Sequence, residues 1–148
     1  MSTYLTNKKA SFNFELLHEY EAGLVLTGIE AKSIRNGRGK LDGGYIIIRG
    51  GEAFLVGISI PAYQPANTPK KYDPERPRKL LLNKKELAAI ERDTEQGRLT
   101  AIPLKLYNKN RKIKLLLAVV RGKRKHDKRE TLKARDSKRE IERTLKSQ

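Results

Sequence analysis

Residue types that do chemistry are scarce in this chain. It has no cysteine, and its two histidines, His18 and His126, stand far apart in sequence. Thiolate nucleophiles, disulfides and thiolate metal sites are therefore excluded, and a histidine-based centre lacks neighbouring ligands. The acids Glu30, Asp42, Asp73 and Glu75 read most simply as solvated loop and turn residues. The stretch GRGKLDGG carries neither the G-x-x-x-x-G-K-[ST] phosphate loop nor the G-x-G-x-x-G dinucleotide fingerprint, so it reads as a flexible turn. Neither catalysis nor a cofactor nor a metal is expected.

What the chain does supply is cations. It holds 33 Lys+Arg against 17 Asp+Glu, a net charge of +16 on 148 residues. Such a charge argues for a polyanionic partner, because clustered phosphates release counterions when Lys and Arg neutralise them. The basic residues come in runs: Asn7, Lys8 and Lys9; Lys32, Arg35, Arg38 and Lys40; Lys70, Lys71, Arg76, Arg78 and Lys79; and everything from Arg121 onward. Tyr63, Tyr72 and Tyr107 lie near them. Unpaired bases stack on aromatic faces while Lys and Arg hold the backbone, so the pattern predicts RNA contact.

Two kinds of element have to carry these residues. The first 120 residues carry a net +9 and read as one small β-rich domain; the last 28 carry +7 and read as an arm. In the domain, Phe12, Phe14 and Leu16 alternate with polar residues and predict a strand, interrupted at Glu19–Ala22 and resumed at GLVLTGI, with bends at Gly23 and Gly28. EAKSIRNG predicts a short helix closed by Asn36-Gly37. GYIIIRGGEAFLVGISI predicts a hairpin about Gly50-Gly51. The proline-rich stretch 61–77 cannot be an interior strand and predicts a long surface loop. Asn83 with Glu86 is a capping box that opens a helix from Lys84 to about Gln96, and two strands follow around Asn108–Lys112. About six strands with short helices predict a small barrel rather than a sandwich, with a half-open α+β sheet as the alternative.

The arm has only Leu132, Ala134, Ile141 and Leu145 as aliphatic anchors, too few for a core but enough to stripe one side of a helix formed on RNA. As a helix its 28 residues would reach about 42 Å. The sequence has no signal-peptide apolar region and no stretch long enough to span a membrane, so a soluble, cytoplasmic protein without membrane contact is expected.

The blocks NKKASFNFE, LTGIEAKSIRNG, GEAFLVG, RPRKLLLNKKEL, IPLKLYNKN and GKRKHDKRETLKARD, in this order, resemble the SsrA-binding protein family, also called SmpB. The resemblance implies an oligonucleotide-binding-type (OB-like) β-barrel over residues 1–120 and a tail, 121–148, that is disordered when free and helical on the ribosome. It implies binding to the tRNA-like domain of transfer-messenger RNA and delivery of that RNA to stalled ribosomes for trans-translation. The tail would probe the empty messenger channel and the small-subunit decoding centre, and elongation factor Tu would join the delivery complex. By motif, the resemblance assigns RNA contact to Lys8, Lys9, Lys32 and Asn83, with Glu30 supporting the contact surface, and Lys79 of the third basic run is expected to contact RNA as well. It assigns ribosome contact to Lys123, Arg124, Lys125, Asp127, Lys128 and Arg129. The chain departs from some family members in having Ala31 in place of valine and no aromatic residue after Tyr107.

Overall fold

The structure is a computed structural model that describes residues 2–64, 66 and 68–122. Its elements, in chain order, are β1 (Thr3–Thr6), α1 (Ala10–Asn13), β2 (Phe14–Leu24), α2 (Gly28–Arg35), β3 (Tyr45–Arg49), β4 (Glu52–Val56), β5 (Arg78–Leu81), α3 (Lys84–Thr94), β6 (Leu99–Lys109) and β7 (Lys112–Gly122). Six strands close on themselves in the order β6-β3-β4-β5-β2-β7, with β7 returning to β6, and β1 adds to β6 as an outer strand. Closure removes the free edges that an open sheet would expose. The barrel expected from the sequence is present, and the half-open alternative is not.

Alternation fills the interior. Along β7 the odd positions Ile113, Leu115, Leu117 and Val119 point inward and meet Ala22, Ile46, Ala53, Leu55, Leu80, Ala101 and Leu106 in one core. Ile90 of α3 and Ile34 of α2 pack into the same core. Ala118 and Val120 face the other way and join Ile102 and Ala10 in a small second cluster under α1. Both faces of β7 are thus covered at that end, which is why its C-terminal half reads as an unbroken apolar run.

Turn chemistry places the hairpins. Gly50 and Gly51, at φ of 60° and 75°, supply the two left-handed residues of the β3–β4 reversal. The β6–β7 reversal uses Asn110 and Arg111 at φ of 53° and 66°, so an arginine occupies a conformation that favours Gly or Asn. Pro103 is buried in β6, and the ladder to β7 accommodates it with a register shift between Pro103 and Lys105.

Several expectations are corrected. Phe12 belongs to α1 rather than to a strand, and β2 runs without a break through Glu19–Ala22. The apparent interruption arises because Glu19 and Glu21 lie on the exposed side of the strand, whereas Tyr20 and Ala22 pack on the core. The chain leaves the strand after Leu24, and Gly28 opens α2 instead of bending a strand. α2 also starts two residues before the expected EAKSIRNG segment, behind a capping box formed by Thr27 and Glu30. α3 ends at Thr94, before the expected Gln96. Arg121 and Gly122, expected to open the arm, pair with Glu15 and Phe14 as the last residues of β7.

Candidate nucleic-acid interface

The node that organises one face of the barrel is Glu30. Read from the sequence as a solvated acid, it is fully buried. Its Oε1 accepts from the Thr27 amide at 2.9 Å and from Arg76 Nη2 at 2.5 Å, and its Oε2 accepts from Arg78 Nε at 2.7 Å. Burial pushes its pKa up, but the Thr27 amide and the two guanidiniums outweigh that and hold the carboxyl below its ordinary value. Arg78, itself buried, donates from Nη2 to the Pro74 carbonyl at 2.8 Å. Tyr72 donates to the Ile60 carbonyl at 2.6 Å, and Ser33 of α2 donates to the Pro61 carbonyl at 2.5 Å. Both ends of the proline-rich loop are therefore fastened to α2. Arg38 adds a further tie, donating to the Tyr63 carbonyl at 3.1 Å with its guanidinium 5.5 Å from that ring. Arg76 keeps 40% of its side chain exposed and faces solvent with one edge.

Next to this module lies a groove of about 280 Å³ between the C-terminal end of β2 and the β6–β7 turn. Its floor is Gly23, Leu24 and Leu26, and its cations are Arg35, Arg111, Lys112 and Lys114, delivered by α2, the turn and β7. Arg35 donates to the Arg111 carbonyl at 3.3 Å, which couples the helix to the turn. Leu81 is 54% exposed, so the groove has an apolar lip as well as a basic wall. Just outside, Glu21 accepts hydrogen bonds from the Tyr107 hydroxyl and, at 3.0 Å, from Lys109. Those bonds hold the Glu21 carboxyl below its ordinary value, with Lys109 and Lys114 adding to the effect. Tyr107 is shifted the opposite way, by burial first and then by the adjacent carboxylate.

Four cations from three elements, none of them in an ion pair among the described residues, make this groove suited to phosphates. Among the described residues no group of His, Cys, Asp and Glu could hold a metal ion, and no helix is long and apolar enough to cross a membrane.

Comparison with known proteins gives the family and supports the fold. The family model for SmpB protein matches residues 4–147. The chain belongs to the SmpB family. It is 48% identical over 140 residues to the SsrA-binding protein of Thermosynechococcus vestitus, covering 95% of this chain and 92% of that one. It is likewise 48% identical over 147 residues to the SsrA-binding protein of Chelativorans sp., covering 99% of this chain and 94% of the relative. A solved structure described as "tmRNA-SmpB: a journey to the center of the bacterial ribosome" superposes with a TM-score of 0.68 at 39% identity, over 86% of this chain and 93% of that one. An SmpB-family barrel is thus the scaffold on which the basic groove is built.

The residues singled out from sequence do not gather at one place. Lys32 is exposed on α2, the helix that also carries Arg35 into the groove. Lys79, on β5, pairs with Glu52 at 3.1 Å. Asn83 accepts from the Glu86 amide at 2.8 Å as the cap of α3, so its side-chain oxygen is committed to the helix while the residue stays exposed. Lys8 and Lys9 are exposed between β1 and α1, near the opposite end of β2 from the groove. Lys123, Arg124, Lys125, Asp127, Lys128 and Arg129 lie outside the described residues. Sequence reasoning does not single out Arg111, Lys112 or Lys114: the first two fall in the reversal at Asn108–Lys112 and the third in the strand that follows it. The signal was there: the alternation that sends Ile113 and Leu115 inward sends Lys112 and Lys114 outward.

Proposed function

We propose that this chain binds the tRNA-like domain of transfer-messenger RNA and delivers it to stalled ribosomes, where trans-translation tags incomplete proteins. The observation that carries this reading is the basic groove of Arg35, Arg111, Lys112 and Lys114 on an SmpB-family barrel. Recognition there needs no reaction. Cations set at fixed spacing meet backbone phosphates, and the exposed Leu81 lip offers a contact to unstacked bases and riboses. Rigidity is part of the function, because a preordered surface loses less entropy on binding. Glu30 contributes from beneath: it fixes Arg76 and the proline-rich loop without touching RNA. Lys32 extends the cationic surface from α2 and Lys79 from β5, while Lys8 and Lys9 add contacts at the far end of the barrel. Asn83 acts by placing α3, with its amide nitrogen left to face the RNA.

The segment 123–148 serves the ribosome. Lys123, Arg124, Lys125, Lys128 and Arg129, with Asp127 among them, engage the small-subunit decoding centre and the empty messenger channel. Elongation factor Tu accompanies the complex, and the work is done in the cytoplasm. Recovery of the tagged protein from a lysate of its own cells, followed by sequencing of the bound RNA, tests the reading. Enrichment of one small tRNA-like RNA is expected; ribosomal RNA alone would overturn it.

A further inference from the structure

A second cleft lies at the opposite end of the long β2–β7 ribbon. It has a volume of about 380 Å³ and is lined by Lys9, Asn13, Phe14, Asp42, Tyr45 and Ile102, with the backbone of Gly43 and Gly44 along one side. Phe14 begins β2, whereas Gly23, in the basic groove, lies near its end. At ~3.3 Å per strand residue the two sites are about 30 Å apart, so one nucleotide cannot occupy both. The second cleft is separate from the groove, and with Lys9 in it and Lys8 beside it, the inference rests on the far-end RNA contact proposed above and concerns what that end selects.

Its chemistry differs from that of a purely cationic surface. Tyr45 is 47% exposed, so its ring is a platform that the core does not use. Ile102 and Phe14 add apolar surface from the small cluster under α1. Asp42 is exposed and makes no ion pair or side-chain hydrogen bond among the described residues, and the same holds for Lys8, Lys9 and Lys40. Lys8 and Lys40 line an adjoining cleft of about 410 Å³, which shares Asp42 with the first. Three unpaired lysines thus lie around an aromatic cleft that holds one carboxylate.

The backbone here is held in place. A Cβ on Gly44 would stand 2.4 Å from Ile58 Cγ2 and 3.1 Å from the Leu41 carbonyl, so this glycine is packed tight and sets the position of Tyr45 beside it. Gly43, at φ of 81°, has nothing within 4 Å of where a Cβ would be, leaving its backbone open to the cleft. At Gly44, therefore, the stretch read from sequence as a flexible turn is fixed by packing.

We propose that this cleft accepts an unpaired guanosine of an RNA strand. The base stacks on Tyr45, and the Asp42 carboxylate accepts its N1 and N2 protons. The adjoining phosphates lie on Lys9 and, through the neighbouring cleft, on Lys8 and Lys40. An ionised carboxylate only accepts, and guanine is the base whose Watson–Crick edge offers it two adjacent N–H donors. The charge arrangement fits too: the three lysines offset the repulsion that a lone carboxylate would exert on an RNA backbone.

The test uses the full chain and two unstructured tetranucleotides, UUGU and UUUU, followed by amide chemical shifts and by affinity. UUGU is expected to bind about tenfold more tightly than UUUU, as loss of a donor pair and of purine stacking implies, and to shift the Gly43 and Gly44 amides. Asp42→Asn is expected to cut the preference for UUGU to the few-fold part that stacking on Tyr45 supplies, while UUUU binding stays within about twofold. Tyr45→Ala, at an exposed position, is expected to weaken UUGU about tenfold with an unchanged melting temperature. The Arg35→Ala/Lys112→Ala pair in the groove is expected to leave the preference intact. Equal affinity for the two oligonucleotides, or shifts confined to Gly23 and Lys114, would overturn the proposal. Neither result bears on transfer-messenger RNA binding at the groove, which is read out by a different RNA.

Discussion

Glu30→Gln tests the claim that one buried carboxylate organises the loop. The substitution keeps shape and volume but removes the charge, and it puts an NH2 group where an oxygen now accepts. In one amide orientation that group faces Arg78 Nε, 2.7 Å away in the native structure; in the other it faces the Thr27 amide and Arg76 Nη2. Either way a donor meets a donor and the fully buried Arg78 loses its counter-ion. Breaking a buried pair on one side costs about 3–5 kcal/mol, and the retained amide oxygen recovers roughly 1 kcal/mol of that. The expected loss is therefore about 3 kcal/mol, or roughly 10 °C in Tm for a domain of this size. Thermal and urea unfolding of the full chain, followed by circular dichroism, measures it.

The pH dependence supplies an independent check. The folded carboxyl titrates below its ordinary value of 4.5, so its stabilisation is whole above that pH and is lost as pH falls through the lower folded value. The Glu30→Gln variant is expected to lack that part of the acid destabilisation. Exchanging the pair together, as Glu30→Leu with Arg78→Met, is expected to cost less than Glu30→Gln alone, since no buried charge is left behind. A single variant within 1 kcal/mol of the parent, or a double variant worse than the single, would refute the reasoning.

Other outcomes follow from the same geometry. Lys112→Ala with Lys114→Ala is expected to lower the slope of log affinity against log salt for transfer-messenger RNA by about 1.5, with Tm unchanged, as filter binding at several salt concentrations will read. Gly44→Ala is expected to cost about 1–3 kcal/mol in urea unfolding, because the added methyl meets Ile58 and the Leu41 carbonyl. Arg111→Gly is expected to raise Tm slightly by relieving a left-handed arginine, worth roughly 1 kcal/mol, while RNA affinity falls. Ending the chain at Gly122, the last residue of β7, is expected to preserve the melting transition and RNA binding while abolishing tagging on stalled ribosomes.

Much of the fold is visible in local patterns. The Gly50-Gly51 hairpin, the Asn83 capping box and the alternation on either side of Asn108–Lys112 all depend on contacts within a few residues, and each is found where its pattern lies. β1 and β5 were harder to see. Each has four residues and exists because of a partner distant in sequence, β6 for one and β2 with β4 for the other. Glu19 and Glu21 masked the middle of β2 for a related reason: their side of the strand is exposed, so apolar runs gave no sign of continuity.

The sequence by itself determined the class of partner, the absence of thiol chemistry, the barrel and the family, because these depend on composition, short-range periodicity and ordered motifs. Only the tertiary structure decided which charges act together. Glu30, Arg76 and Arg78 are split between α2 and the strand-loop segment 76–78, yet they form one buried network. Arg35 and Lys112 meet across a groove although they are remote in the chain. A charge run in sequence records only how many cations are present. Barrel closure sets which of them share a surface, and burial sets which are spent on holding the protein together.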